Sequence, residues 1–400
     1  LPRVAVIGGT INILLRAAAL DVSVVLFHKE GAYDPESVKY CTELVHVDFV
    51  DDPEALVELV RAHHERRPFD RVMSLTENGL VPAARLNEIL GLGGNSLRTA
   101  ELLKDKVSMR RRLDEEGISP VAYRAVRSRQ ELDAFRQLIG GPVFVKPVNG
   151  SASVAVQRVD TSADAASAWA RLTAAGYDEA IAEEFLEGPE FSVDAYSWQG
   201  RHTVIAVTRK LLAPNSLEIG HSMPAQLEED TRSEMTRMVR AMLDAVGLVE
   251  GPTHTEVRLT PKGPRIIESQ NRIGGSRLYE MMSLAFGIDI IRLAVAVPLG
   301  LEPAPEKTPD TLAGAAVRYF TPPPGVVTAI TGTEHLPDDG TLRLALGVAV
   351  GDTVAEQRTS IDRDTLGCYV VCSGADEADA VARCERALDT VTITTRAVAR

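Results

Sequence analysis

HTEVRLTPKGPRIIESQNRIGG, residues 254–275, holds two short runs, HTEVRLT and PRIIESQ, around the turn Pro-Lys-Gly-Pro at 261–264. β-Branched and apolar residues on both sides of a Pro/Gly turn predict a β-hairpin. Glu256 then lies on one strand and Glu268 on the other. Gln270 follows two residues later on the same face, and Arg272 continues that face. Two carboxylates facing across a hairpin repel each other unless a cation sits between them. Oxygen ligands of this kind suit Mg²⁺ bridging the phosphates of a nucleoside triphosphate, and Mn²⁺ takes a similar set. A solvated polar face would carry the same residue types, but Ile266, Ile267 and Gly274-Gly275 read as interior.

Two further clusters lie upstream. Lys146 sits inside an apolar strand, PVFVKPV at 142–148, and is followed by Asn149-Gly150-Ser151-Ala152-Ser153. An apolar strand rarely carries a lysine without a partner anion. A loop of small residues, Ser151 and Ser153 among them, can turn backbone N–H groups toward phosphate oxygens and makes a candidate lid. This is not a Walker loop, since the G-K-[ST] order is absent. A plain hairpin with a solvated lysine fits the same residues. In the second cluster Glu183, Glu184, Phe185 and Leu186 precede Gly188-Pro189-Glu190. An adenine ring needs an apolar slot with backbone hydrogen bonds, and a ribose needs a carboxylate acceptor. A strand end with solvated acids is the competing reading.

Around these clusters the chain alternates strand and helix. Residues 3–8, 22–27, 44–50 and 71–75 read as strands, with helices between, in a parallel α/β lobe ending near GLGGNS at 91–96. Gly8-Gly9 reads as a tight turn at the end of the first strand, with room for a substrate-binding role. It is too little of a dinucleotide fingerprint to indicate NAD. Residues 98–116 read as one charged helix, 163–175 and 230–247 as further helices, and 180–186, 190–198 and 202–208 as strands. PLGLEPAPEKTP near 300 reads as a linker or long surface loop. Short strands and one helix at 376–388 follow.

Composition sets the outer limits. With 43 Lys+Arg against 56 Asp+Glu the net charge is −13, which argues against a nucleic-acid partner. Four sparse cysteines form no CxxC pair and read as reduced thiols of a cytoplasmic protein. No apolar run has the length of a membrane span, and the first residues read as a strand rather than a secretory signal. The chain starts at Leu1 without Met, so a few residues upstream are expected. Among eight histidines, His221 in EIGHSMPA is the candidate for a site, against the alternative of an ordinary loop histidine.

Taken in order, these strings resemble the ATP-grasp superfamily, and within it the carboxylate–amine (L-amino-acid) ligases. AEEFLEGPEFSVDAY (182–196) looks like the hinge-and-ribose segment of D-alanine–D-alanine ligases, and GPVFVKPVNGSASVAV (141–156) like the lysine strand and phosphate loop. LLKDKVSMRRRLDEEGISP (102–120) looks like the helix carrying the first ATP lysine, which falls on Lys106. The 254–275 stretch looks like the metal hairpin, and AAVRYFTPPPGVV (315–327) like the start of the C-terminal lobe of the amino-acid-ligase branch.

The resemblance implies an α/β protein with a Rossmann-like lobe at 1–96 and an ATP-grasp fold at 97–300, two α+β lobes clasping ATP. Its lid spans about 120–186, and a β-rich C-terminal lobe covers 301–400. It implies that Lys106, Lys146 and Lys210 contact phosphates and that Glu183, Glu184, Phe185 and Leu186 hold adenine. Glu190 holds ribose, and Glu256, Glu268 and Gln270 hold Mg²⁺, with Gln270 standing where the family has Asn. Arg272 serves the acyl phosphate. The expected reaction joins small amino-acid substrates through an acyl phosphate, releasing ADP and phosphate, in a protein for which a homodimer is allowed. A purine-pathway or carboxylase-like ligase and a non-catalytic ATP-binding regulator are the alternatives.

Overall fold

A computed structural model of the protein describes residues 1–150, 155–213, 217–356 and 360–397. The first lobe runs β1 (Arg3–Ile7), α1 (Ile11–Ala19), β2 (Ser23–His28), β3 (Glu43–His46), α2 (Pro53–Arg66), β4 (Arg71–Met73) and α3 (Leu80–Leu90). Its four strands are parallel in the order β3-β2-β1-β4. Helical crossovers cover both faces, so β1 is buried along its whole length and its sequence is one apolar run. Gly8 ends β1 at φ +61°, where a Cβ would come 2.5 Å from the Phe49 ring. Only glycine lets the chain turn there toward α1.

Residues 98–116 are not one helix. They form α4 (Leu97–Lys104) and α5 (Lys106–Glu115), broken at Asp105. Asp105 leaves the helical region and its carboxylate accepts from the Ser108 N–H at 2.6 Å, capping α5. Local capping overrides the helical pattern, and Lys106 becomes the first residue of a new helix. Its backbone N–H donates to Val148 O at 3.2 Å, tying α5 to the lysine strand.

A small sheet follows, from β5 (Tyr123–Val126), α6 (Arg129–Ile139), β6 (Val143–Pro147), β7 (Gln157–Val159), α7 (Ser162–Ala174) and β8 (Ala180–Glu184), ordered β5-β8-β6-β7 and antiparallel. It packs its own core, including Phe135, Val143, Val145 and Leu172.

The chain then runs β9 (Glu190–Trp198), β10 (Arg201–Leu212), β11 (Glu218–Met223), α8 (Glu229–Ala245), β12 (Glu250–Thr260), β13 (Gly263–Gln270), α9 (Leu278–Phe286) and α10 (Ile290–Ala296). The last part is β14 (Gly314–Tyr319), β15 (Gly325–Thr331), β16 (Leu342–Ala345), β17 (Thr353–Val354), α11 (Ser360–Leu366), β18 (Tyr369–Gly374), α12 (Glu377–Thr390) and β19 (Thr392–Arg396). One eight-stranded antiparallel sheet, β13-β12-β9-β10-β11-β14-β18-β16, joins these two parts, and β17-β15-β19 is a separate small sheet. Among the described residues, no single helix is long and apolar enough to cross a membrane.

Strand alternation divides the large sheet into a core face and a polar face. Phe191, Val193, Ala195 and Val257 pack under α8 against Met235, Val239 and Met242. Each of the valine, phenylalanine and methionine side chains contributes about 1.5–3 kcal/mol of burial. The even-numbered residues between them, Glu190, Asp194, His254 and Glu256, point the other way, toward the cavity or its lining.

Candidate active site

The polar face forms the floor of a cavity of about 730 Å³, bordered by the carboxyl ends of β1 and β4, the small sheet, the 272–279 loop, and α11. The position at the ends of parallel strands is where open α/β sheets bind ligands.

Glu256 and Glu268 are direct cross-strand partners, as the hairpin reading requires. One residue disturbs the simple alternation. Val257 pairs with Ile266, so Ile267 is bulged out between the two pairs. The bulge lets Ile266 enter the core while Glu268, two residues on, faces the cavity. The Ile267 carbonyl accepts from Lys146 Nζ at 3.3 Å. Each carboxylate meets a lysine: Glu256 lies 2.7 Å from Lys210 and Glu268 lies 3.4 Å from Lys106.

Gln270 is buried behind Glu268, which accepts its Nε2 at 2.8 Å, and it does not border the cavity. Its Oε1 is buried without a hydrogen-bond partner among the described residues. Two facing carboxylates and an unanswered amide oxygen form a hard-oxygen set of the kind Mg²⁺ takes.

Lys146 is buried against Glu183 at 2.8 Å, and Glu183 also holds Arg110 at 2.6 Å. Burial pushes the Glu183 carboxyl up, but the Arg110 and Lys146 charges outweigh it and hold it at about 2. The Glu183 carboxylate is therefore committed to fixing two cations and is not free to meet a base. Glu184 likewise accepts from the Ala122 N–H. Phe185 does not line the cavity. It stacks behind Phe144, ring centroids 5.6 Å apart, and Phe144 is the ring that faces the cavity with Leu186 and Leu212. Ser151 and Ser153 lie outside the described residues. Lys106 Nζ donates to the carbonyl of Gly150, at the start of that loop, at 2.5 Å.

Lys210 is not an open phosphate contact here. Its ammonium lies 2.6–2.7 Å from Glu190, Glu218 and Glu256 at once. Burial alone would discharge it, but the three carboxylates raise its pKa well above the usual value. The same three carboxylates are close enough together to hold a metal ion, and the lysine answers their charge. Glu190 also pairs with Arg258, so both of its oxygens are engaged.

His221, on the strand beside Lys210, is 2 % exposed and borders the cavity. Its Nε2 lies 3.5 Å from the Glu218 carboxylate, and among the described residues neither ring nitrogen has a well-aligned hydrogen-bond partner. Burial lowers its pKa against the pull of Glu218, so the ring is neutral. Arg272 reaches across to the first lobe, where its Nε donates to Glu77 at 2.9 Å.

Several site residues carry no signal strong enough to be singled out from sequence. Arg110 could be found one helical turn after Lys106, on the same face. His254 could be found two residues before Glu256; Asp194 accepts its Nδ1–H at 2.8 Å. Burial opposes the charge on His254, but Asp194 and then Glu256 raise its pKa to about 9. Glu77 follows β4 at the carboxyl end of a parallel strand, where a positional rule flags it. Gly274 is needed for close packing, since a Cβ would come 2.6 Å from His254 Nδ1. Arg363, Tyr319 and Tyr369 reach the cavity from distant segments and have no local signature.

Comparisons with known proteins match three stretches of the chain and its overall fold. Residues 14–94 match the ATP-grasp N-terminal domain, 139–280 the ATP-grasp domain, and 318–396 the L-amino acid ligase C-terminal domain 2. The L-arginine-specific L-amino acid ligase of Bacillus subtilis is 24 % identical over 358 residues, covering 86 % of this chain and 84 % of that protein. The alanine–anticapsin ligase of Bacillus subtilis (strain 168) is 25 % identical, over 66 % of this chain and 60 % of its own length. The crystal structure of the L-amino acid ligase from Bacillus licheniformis superposes with a TM-score of 0.84 at 25 % identity, covering 99 % of both chains.

Proposed function

Because the chain belongs to the ATP-grasp superfamily, in its L-amino-acid-ligase branch, we propose that it uses ATP to join two amino-acid substrates through an amide bond. One observation carries the assignment of the site. Lys106 on α5, Lys146 on β6, and Glu256, Glu268 and Arg272 on or beside the hairpin come from three separate segments and border one cavity.

The substrate carboxylate and the γ-phosphate are both anionic, so catalysis must neutralise and position them. Lys146, fixed by Glu183, and Lys106, at the start of α5, supply positive charge at the phosphate end. Phe144, Leu186 and Leu212 supply the apolar slot for the base. Glu256 and Glu268 would hold Mg²⁺, with the free Gln270 oxygen beside them. The ion would supply charge that draws the phosphate oxygens together.

A carboxylate oxygen attacks the γ-phosphorus, the bond to ADP breaks, and an acyl phosphate forms. The amine then attacks the acyl carbon, phosphate leaves with the C–O electron pair, and the nitrogen gives up one proton to the departing phosphate as the amide forms. Arg272, oriented by Glu77, faces the carbonyl oxygen on which charge collects. Neutral His221, whose Nε2 lies 3.5 Å from Glu218, hydrogen-bonds the incoming amine. The test is purified protein with ATP, Mg²⁺ and a matrix of amino-acid pairs. ADP, phosphate and amide should appear in equal amounts; AMP and pyrophosphate would signal an adenylate and overturn the reading.

A further inference from the structure

The cations that border the cavity differ in one respect. Lys106, Lys146, Lys210, Arg258, Arg272 and Arg363 each have a carboxylate in ion-pairing reach. Arg277 has none among the described residues, and the hydrogen bond it makes is from Nη1 to the Tyr279 hydroxyl, at 2.9 Å. The acid next along the chain from Tyr279, Glu280, is committed to Arg343 at 2.6 Å.

Arg277 is nevertheless held in place. Its guanidinium lies 4.3 Å from the centroid of the Tyr369 ring, and the Tyr369 hydroxyl is in turn held by Arg343 at 2.9 Å. Arg277 and the preceding Ser276 both have left-handed backbone, φ +65° and +54°. For non-glycine residues each such conformation costs about 1–3 kcal/mol and persists where the surroundings impose it. The Gly274-Gly275 turn and the start of α9 impose it here. The result is a fixed, half-buried guanidinium with most of its five donors unspent and no carboxylate in ion-pairing reach among the described residues. Such a group matches a carboxylate, which it can grip with two parallel hydrogen bonds.

We infer that Arg277 is the receptor for a substrate carboxylate that does not react. The inference rests on the ligase reading, which also shows why such a receptor is needed. When two amino acids are coupled, one carboxylate is activated near Arg272. The amino acid that supplies the amine keeps its own carboxylate, and that charge must be held away from the phosphoryl group. The 272–279 loop carries both arginines, one for each role.

The same chemistry could come from an acidic side chain, and a competition experiment separates the two sources. Wild-type protein receives ATP, Mg²⁺, the twenty L-amino acids and their carboxamides together, and products are read by mass spectrometry. Wild type should make dipeptides in preference to dipeptide amides. Arg277→Met should shrink that preference by about tenfold or more, the scale of one charge-assisted hydrogen bond. Arg277→Gly, which accepts the left-handed backbone without strain, should show the same loss, and Arg277→Lys should keep part of the preference. Calorimetric ATP binding should stay at the wild-type level in all three, showing that they are folded.

Loss confined to products containing Asp or Glu, with the acid-to-amide preference intact, assigns the receptor to a side-chain carboxylate. An unchanged product profile in both Arg277→Met and Arg277→Gly overturns the inference. Absence of ADP and amide with the wild-type protein is a different result, and it overturns the ligase reading itself.

Discussion

The two ends of the cavity are built in different ways. At the phosphate end each functional side chain belongs to a short continuous string: Lys106 with Arg110, Lys146 on its strand, Glu183 with Leu186, Glu256 with Glu268. Its charges are answered in pairs before any ligand arrives, as in the buried Lys146–Glu183–Arg110 cluster. At the other end single residues arrive from far apart: Glu77 after β4, His221 on β11, Arg277 before α9, Arg363 on α11 and Tyr369 on β18. There, among the described residues, one imidazole has no well-aligned hydrogen bond and one guanidinium has no carboxylate in ion-pairing reach. On the proposed reading, the nucleotide chemistry is encoded locally, and the substrate end is assembled by the way the lobes meet.

That contrast can be broken, most severely at the hairpin. Glu268→Gln keeps the shape and removes one charge, and phosphate release should fall by roughly three orders of magnitude with the fold intact. Near wild-type turnover at ordinary Mg²⁺ concentration would mean that the hairpin is not the metal site.

Arg272→Ala should lower turnover by about a hundredfold, the scale of losing one oxyanion donor, while ATP affinity stays within about tenfold. Lys146→Ala should do the reverse and weaken ATP binding clearly. Calorimetry and steady-state phosphate release on both variants measure the split. Equal loss of ATP binding in the two would erase the boundary between the ends.

A smaller effect should sharpen the contrast at the far end. Arg363, 1 % exposed, donates to the Glu218 carbonyl and to Ser276 Oγ and lies 3.9 Å from the centroid of the Tyr319 ring. Arg363→Met should raise the KM for the amino-acid substrates about tenfold and leave the KM for ATP unchanged. A matching rise in the KM for ATP would count against separate ends.

The smallest effect concerns acid. The folded-state pKa of Glu183 lies below its usual 4.5, at about 2. Its ion pairs therefore stabilise the fold fully above pH 4.5, and that contribution disappears as pH falls toward 2. Glu183→Gln should melt below wild type at neutral pH, with the gap between the two Tm values closing across that window in calorimetric scans. A gap that stays constant down to pH 2 would show that the carboxylate charge is not what stabilises the cluster.

The hairpin, the lysine strand and the parallel first lobe were legible because each rests on a local pattern: alternation, a turn, an apolar run. Two local features escaped. Asp105 splits an otherwise helical stretch because its carboxylate caps the next helix better than the pattern continues. The bulge at Ile267 shifts the alternation by one residue, which decides which side chains reach the cavity. Phe185 and Phe144 were indistinguishable in sequence, since both are aromatic residues at strand ends or within short strands, and only packing sets which ring faces the cavity. Arg277 and Arg363 were beyond reach for a different reason. Tyr369 under Arg277, and Glu218, Ser276 and Tyr319 around Arg363, lie dozens of positions away, and a lone arginine in sequence resembles any solvated one.

The eight-stranded sheet has a further consequence. β11 hydrogen-bonds to β14, so the last hundred residues are sewn into the same sheet as the hairpin. A chain cut near residue 300 would leave β11 with an open row of N–H and C=O groups and, by removing Ala315 and Val317, would uncover Met223, Met281 and Met282 of the core they share. Exposed strand borders of that kind template pairing between molecules. The proline-rich stretch at 300 looks like a seam in the sequence, yet scissors applied there should yield a sticky, self-associating fragment rather than a freestanding module. Gene fusions and truncations that keep this protein soluble should therefore carry the two parts as one piece.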